Sequence, residues 1–130
     1  MYLAVVSGVI TADHGWFDGP IGRAPDSFIK RMVTPDGKPS LTEYWVVKRL
    51  ADKTVVRVRL HSGRTHQIRV HFAHAGHPLF GDELYGGPLH AGIERQALHC
   101  MQLQFFDPFI EQPLTTFAPL PEDLVALIEN

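Results

Sequence analysis

Hydrophobic and polar positions alternate most clearly over residues 54–61, TVVRVRLH, where Val56, Val58 and Leu60 interleave with Arg57, Arg59 and His61. Successive side chains of a strand point to opposite faces, so the segment predicts one buried face and one basic face. TEYWVVKRLA (42–51), rich in β-branched and aromatic residues, predicts a strand just before it, and the Asp52-Lys53 turn makes the two a hairpin. Residues 1–7 read as a further strand, ended by Ser7-Gly8. After Ser62-Gly63 the period changes. Ile68, Phe72 and Ala75 fall at helical spacing, with Thr65 as expected N-cap and Gly76 as the stop, predicting a short helix over about 65–76. ALHCMQLQFF (97–106) reads as one strand and LTTFAP (114–119) as a short one. Pro121 followed by EDLVALIE predicts a terminal helix with acids in its first turn. Residues 11–40 read as irregular, punctuated by turns at Asp18-Gly19-Pro20, Ala24-Pro25-Asp26 and Pro35-Asp36-Gly37-Lys38. The expected class is α+β: a mixed, mainly antiparallel sheet with the 65–76 helix packed on it and a C-terminal helix.

Length changes this picture little: 130 residues fit one domain, 1–130, with a real core. Cys100 is the only cysteine, so no intramolecular disulfide forms, and a cytoplasmic location fits. The apolar start MYLAVVSGVI lacks a basic n-region and does not read as a signal peptide. No run approaches the length of a membrane span. Charge is more informative. The chain carries a net −2, but residues 48–69 hold Lys48, Arg49, Lys53, Arg57, Arg59, Arg64 and Arg69 against Asp52 alone. A basic segment in an acidic protein is a local footprint for a polyanion, or else a solvated charged face.

The stretch RLHSGRTHQIRVHFAHAGHPLFGDELYGG (59–87) concentrates five of the eight histidines. A metal site is one reading. His71 and His74 share a helix face, but His77 lies beyond Gly76 and out of the helix, and no carboxylate or cysteine stands at zinc spacing. For His66, His71 and His99 a hydrogen-bonding place in core or loop is the simpler reading. No serine sits in a Gly-x-Ser-x-Gly elbow, and GDELYGGP lacks the Gly-Lys of a phosphate loop. SGRTHQIR sets a helix start directly after a basic strand, with Arg64 and Arg69 a turn apart, an arrangement suited to a polyanion backbone.

These residues also carry a resemblance. SGRTHQIRVHFAHAGHPLFGDELYG is similar to the signature of the RluA-type pseudouridine synthases, which isomerise uridine in structured RNA. Tyr2, Ala4, Val6 and Gly8 resemble the family's Tyr-x-Ala-x-Val-x-Gly strand, and GPIGR (19–23) its Pro-Ile-Gly-Arg turn. Met32, Gly37-Lys38, Ser40, Thr42, Tyr44, RQALHC (95–100), Phe105, Pro108 and APLPED (118–123) extend the likeness over essentially the whole chain. The resemblance implies chemistry without cofactor or metal on a uridine flipped out of ribosomal or transfer RNA. It implies that Tyr2 packs on the base, that Arg69 pairs with the attacking aspartate, and that Ile68 is the apolar neighbour. Arg57, Arg59, Arg64, His66 and Lys48 are the expected RNA contacts.

One departure matters. The family's aspartate lies in a His-Arg-Leu-Asp motif upstream of the Tyr-x-Ala strand, and none of the eight aspartates here has that context. The chain is therefore expected to be the C-terminal part of such a synthase's catalytic domain, RNA-binding but inactive alone. Two alternatives stand beside this: half of a split synthase completed by a second chain, or a histidine metal-binding protein. Two structural expectations follow. Arg69 should find a substitute partner, either Asp82 or a bound anion. The sheet should have an unpaired edge near residues 1–8 that invites self-association.

Overall fold

β1 (Tyr2–Ser7) holds four consecutive buried apolar residues, Leu3, Ala4, Val5 and Val6. A strand covered on one face alternates, whereas a strand covered on both can be apolar throughout. β1 is of the second kind. Ala4 and Val6 face α1 (Gln67–His74) and pack with Val56, Val58, Ile68 and Phe72. Leu3 and Val5 face α2 (Glu122–Glu129) and pack with Val55, Leu124 and Leu127. The computed structural model describes residues 1–90, 92–107, 112–117 and 119–129, with the strands inside 102–117 described by backbone alone.

The main sheet comprises β1, β2 (His14–Phe17), β5 (Thr42–Arg49), β6 (Lys53–Leu60) and β7 (Leu98–Cys100), in the order β2-β5-β6-β1-β7. β3 (Ile21–Arg23) pairs with β4 (Arg31–Val33), and β8 (Gln102–Asp107) with β9 (Gln112–Phe117). Every pairing among these strands is antiparallel. The α+β class is as expected, as are the 42–61 hairpin, the α1 helix and the terminal helix. In β6 the valines at 56 and 58 point inward while Arg57 and Arg59 are exposed.

Several expectations need correction. The region 11–40 contains the strands β2, β3 and β4, each only three or four residues long and too short for periodicity to register. Their hairpin is held by backbone contact: a Cβ on Gly37 would lie 2.5 Å from the Ile21 carbonyl carbon. The segment 97–106 is two strands. β7 stays on β1, and beyond Met101, whose N–H still donates to Met1 O, the chain pairs with β9 instead. β1 is not an edge. It pairs with β6 on one side, and on the other with β7 through Ala4. The Ser7 N–H then donates to Pro78 O and the Phe80 N–H to Val5 O, so the 78–80 loop completes that flank. Among the described residues, β2 and β7 end the sheet.

Helix α1 begins later than expected and without a Thr65 cap. His66 occupies the N-cap in a left-handed conformation, φ 57°. Gln67 does the work instead. Its Oε1 accepts the Arg64 N–H at 3.0 Å and the Ser62 hydroxyl at 2.8 Å, and its Nε2 donates to Leu41 O and Thr42 Oγ1. The turn before α1 is thereby pinned to the start of β5. Ala75 lies outside the buried stripe, and Gly76, at φ 86°, stops the helix as expected.

His71 is buried between Thr42 and the Gly19 carbonyl. Its Nε2 donates to Gly19 O at 2.8 Å, and its Nδ1 lies 2.8 Å from Thr42 Oγ1. Burial holds its pKa below the usual 6.5, only partly offset by the carbonyl. The unfolded chain takes up this proton at higher pH than the folded one. Stability from His71 is thus present above about pH 6.5 and lost as pH falls toward the depressed folded value. The urea midpoint should therefore drop between about pH 7.5 and 5.5. The drop should be smaller in His71→Gln, and equal drops in both proteins would contradict this account.

Candidate functional site

Tyr2 opens β1 opposite Val58 of β6 and Cys100 of β7, so its ring stands on the α1 face with the side chains at 4 and 6. The end of β6 supplies Leu60, the turn before α1 supplies Arg64 and His66, and the first helical turn supplies Gln67, Ile68 and Arg69. Gln96 and Leu98, at the entry to β7, close the far side. Together they enclose a cavity of about 250 Å³. That is smaller than a drug-sized pocket and suits one flat ring with its sugar.

Arg69 is the fixed point of this cavity. Its Nε donates to Asp82 Oδ2 at 2.9 Å and its Nη2 to Asp82 Oδ1 at 2.8 Å, a bidentate pair. The Asp82 side chain is 0% exposed, and that of Arg69 is 14% exposed. The Asp82 hydrogen bonds raise the Arg69 pKa further above its normal value, against the opposing effect of burial. Arg69 thus has the partner expected for it, and Asp82 spends both carboxylate oxygens on that role. The two bonds use part of the guanidinium's donor capacity, which leaves it able to hold a further carboxylate.

Tyr85, in a 3-10 turn (Glu83–Tyr85), organises the other side. Its hydroxyl oxygen accepts the Arg31 N–H at 2.9 Å and lies 2.7 Å from His66 Nδ1. Burial, and after it the Arg69 charge, lowers the His66 pKa from its usual 6.5, which favours the neutral ring near neutral pH. The Arg69 guanidinium lies 5.0 Å from the Tyr85 ring centroid, within cation–π range. Burial raises the Tyr85 pKa, so the phenol keeps its proton.

The fold gathers Tyr2, Ile68, Arg69, Arg64 and His66 around one cavity and puts the other expected RNA contacts elsewhere. Arg57 lies opposite Leu3 in the β1–β6 ladder and so occupies the face of α2; its guanidinium sits 5.4 Å from the Trp45 ring centroid. Arg59 lies on the same face, opposite Glu43. Lys48 Nζ donates to Ile128 O at the end of α2. Glu43 takes hydrogen bonds from His61 and His14, which hold its carboxyl below the usual range. The reading from sequence missed Tyr85, Gln67 and Gln96. For Tyr85 the available signal was an aromatic residue inside the glycine-rich run ELYGG. Among the described residues no cluster of histidine, cysteine and carboxylate has the arrangement of a metal site.

The family model described as RNA pseudouridylate synthase matches residues 1–74, and the chain belongs to that family. The "Uncharacterized RNA pseudouridine synthase YjbO" of Bacillus subtilis is 48% identical over 129 residues, 99% of this chain and 45% of that protein. The "Ribosomal large subunit pseudouridine synthase D" of Escherichia coli is 42% identical over 141 residues, covering 98% and 43% of the two chains. The solved structure of Human RNA Pseudouridylate Synthase Domain Containing 1 superposes with a TM-score of 0.78 at 28% identity, over 92% of this chain and 54% of that one. The chain thus spans less than half the length of these two bacterial relatives.

Replacing Arg69 by methionine would leave the Asp82 carboxylate buried without its cation. Unfolding free energy from urea titration should fall by roughly 3–5 kcal/mol. A loss under about 0.5 kcal/mol, the scale of an ordinary surface substitution, would show that the pair is not structural.

Proposed function

We propose that these 130 residues form part of the catalytic domain of a synthase that converts uridine in RNA to pseudouridine. The observation that carries the reading is the cavity itself, where Tyr2 and Arg69 come together from different elements beside Ile68, Arg64 and His66. A flipped uracil rests against the Tyr2 ring, because an aromatic face supports an unstacked base. Ile68 gives the base an apolar wall. Arg64 and neutral His66 stand at the mouth, suited to a phosphate and to a base or sugar edge respectively. The RNA is ribosomal or transfer RNA, and the reaction proceeds in the cytoplasm without metal or cofactor.

The attacking carboxylate is not Asp82, which is fully enclosed and held by Arg69 through both oxygens. No His-Arg-Leu-Asp run occurs within the 130 residues. Isomerisation therefore requires an aspartate from outside them, in the same polypeptide or a second one. Arg69, with donor capacity to spare, is the group that receives it. The 130 residues alone bind RNA but do not convert uridine.

Titration of a uridine-rich RNA at two salt concentrations tests the reading. If about three cations touch phosphates, the log–log salt slope should be near −2, and affinity should fall roughly 20-fold between about 50 and 200 mM salt. Tyr2→Ala and Arg64→Ala should each weaken binding about tenfold, the scale of one stacked base or one charged contact. Arg57→Ala, on the opposite face of the sheet, should leave it within about twofold. Binding that depends on Arg57 and ignores Tyr2 would refute this site. Digestion and chromatography of RNA incubated with the isolated chain should show no pseudouridine.

A further inference from the structure

A second cavity, of about 410 Å³, lies between the β3–β4 hairpin and the turn that precedes α1. Arg23, Arg31, Lys38 and Arg64 line it, with Asp36 as the single acid. Its local charge is therefore strongly positive, in a protein whose net charge is −2. Two of the cations are set by the fold. Arg64 Nε donates to Pro39 O at 3.0 Å, which holds the guanidinium at the wall. Arg31 carries a buried nitrogen, Nη1, with no hydrogen-bond partner among the described residues. A buried cationic nitrogen left unpaired is costly, and negative charge bound near it in the cavity offsets part of that cost.

The hairpin that carries these groups is anchored. Ile21 and Lys38 exchange backbone hydrogen bonds at 3.0 and 2.9 Å, and the Gly37 N–H donates to Thr34 O at 2.9 Å. The Arg31 N–H is held by the Tyr85 hydroxyl, which also contacts His66. Arg64 lines both this cavity and the one that contains Tyr2 and Arg69. The two cavities are thus neighbours across a single side chain.

We propose that this cavity binds a phosphodiester of the RNA strand next to the nucleotide held over Tyr2, with Arg23, Arg31, Lys38 and Arg64 as its ligands. The proposal rests on the function proposed above for the identity of the polyanion. It adds a site that none of the residues assigned from sequence defines except Arg64. Contacts to phosphate fix register and do not read sequence, so this cavity positions the strand while the Tyr2 cavity selects the base.

The test uses Arg23→Gln combined with Lys38→Gln, both exposed residues whose loss should leave the fold intact. Inorganic phosphate is the first probe. It should shift the amide resonances of Gly22, Gly37 and Gly63 in the wild-type protein and not in the double variant. A uridine-rich and an adenosine-rich RNA are the second probes. The variant's salt slope should be shallower by about 0.7, the value for one phosphate of a single strand, with the preference between the two RNAs unchanged. Amide shifts together with an unaltered slope would overturn the proposal, because the pocket would then be an anion site off the RNA path. Absence of both effects, with wild-type RNA binding intact, overturns the pocket and spares the proposed function. Amide shifts in a wild-type protein that binds neither RNA at about 50 mM salt would do the reverse: the anion pocket stands and the RNA reading fails.

Discussion

The bidentate pair between Arg69 and Asp82 ties the first turn of α1 to the glycine-rich loop, and much else depends on that tie. The loop runs back onto β1 through the bond between the Phe80 N–H and Val5 O. Directly after Phe80 the chain turns through Gly81 at φ 74°, where an added Cβ would meet the Arg95 carbonyl oxygen. From Asp82 the loop delivers Tyr85 to the backbone of Arg31 and to His66. The ion pair therefore links the first turn of α1 to the loop, and through the loop to Tyr85, which contacts one lining residue of each cavity, Arg31 and His66. A buried pair of this kind adds little net stability against apolar residues of similar volume. Its contribution here is geometric: it holds the guanidinium in one plane beside the Tyr85 ring.

The sheet divides the chain's basic residues by strand parity. Side chains that share Tyr2's face line the cavity; those one position away belong to the face of α2. Lys53, buried at 2% exposure, donates to Leu127 O, and Lys48 donates to Ile128 O. Two cations thus sit at the carbonyl end of α2, where the helix dipole favours positive charge. Part of the basic run that suggests a polyanion site is in this way occupied in supporting a helix. The cations beside the Tyr2 cavity come instead from the turn at Arg64 and from the β3–β4 hairpin.

Legibility in the sequence followed the length and regularity of each element. The eight-residue strands β5 and β6 repeat their pattern often enough to be read, and so does the apolar stripe of Ile68 and Phe72 in α1. The three-residue strands β3 and β4 leave no period to read, and their hairpin depends on the approach of Gly37 to Ile21, a contact distant in sequence. The N-terminus of α1 misled because Thr65 has the chemistry of a cap, while the bonds are made by Gln67, whose long amide reaches β5 as well. The family motifs were legible as a string and named Tyr2, Ile68 and Arg69. That Arg57 and Arg59 lie on the far side from Tyr2 follows from the register of Tyr2 with Val58, which no single strand encodes. The expectation of an open edge at β1 failed for a similar reason: the strand's second flank is supplied by β7 and by the loop at 78–80, far along the chain.

On the proposed function, an RNA uridine enters on the α1 face, over Tyr2 and beside Arg69. Photocrosslinking with an RNA carrying a single 4-thiouridine, followed by mapping of the modified residue by mass spectrometry, reads this directly. The crosslink should fall at Tyr2 or within residues 64–69. A crosslink at Trp45, Arg57 or Arg59 would place the base on the opposite face of the sheet and contradict it.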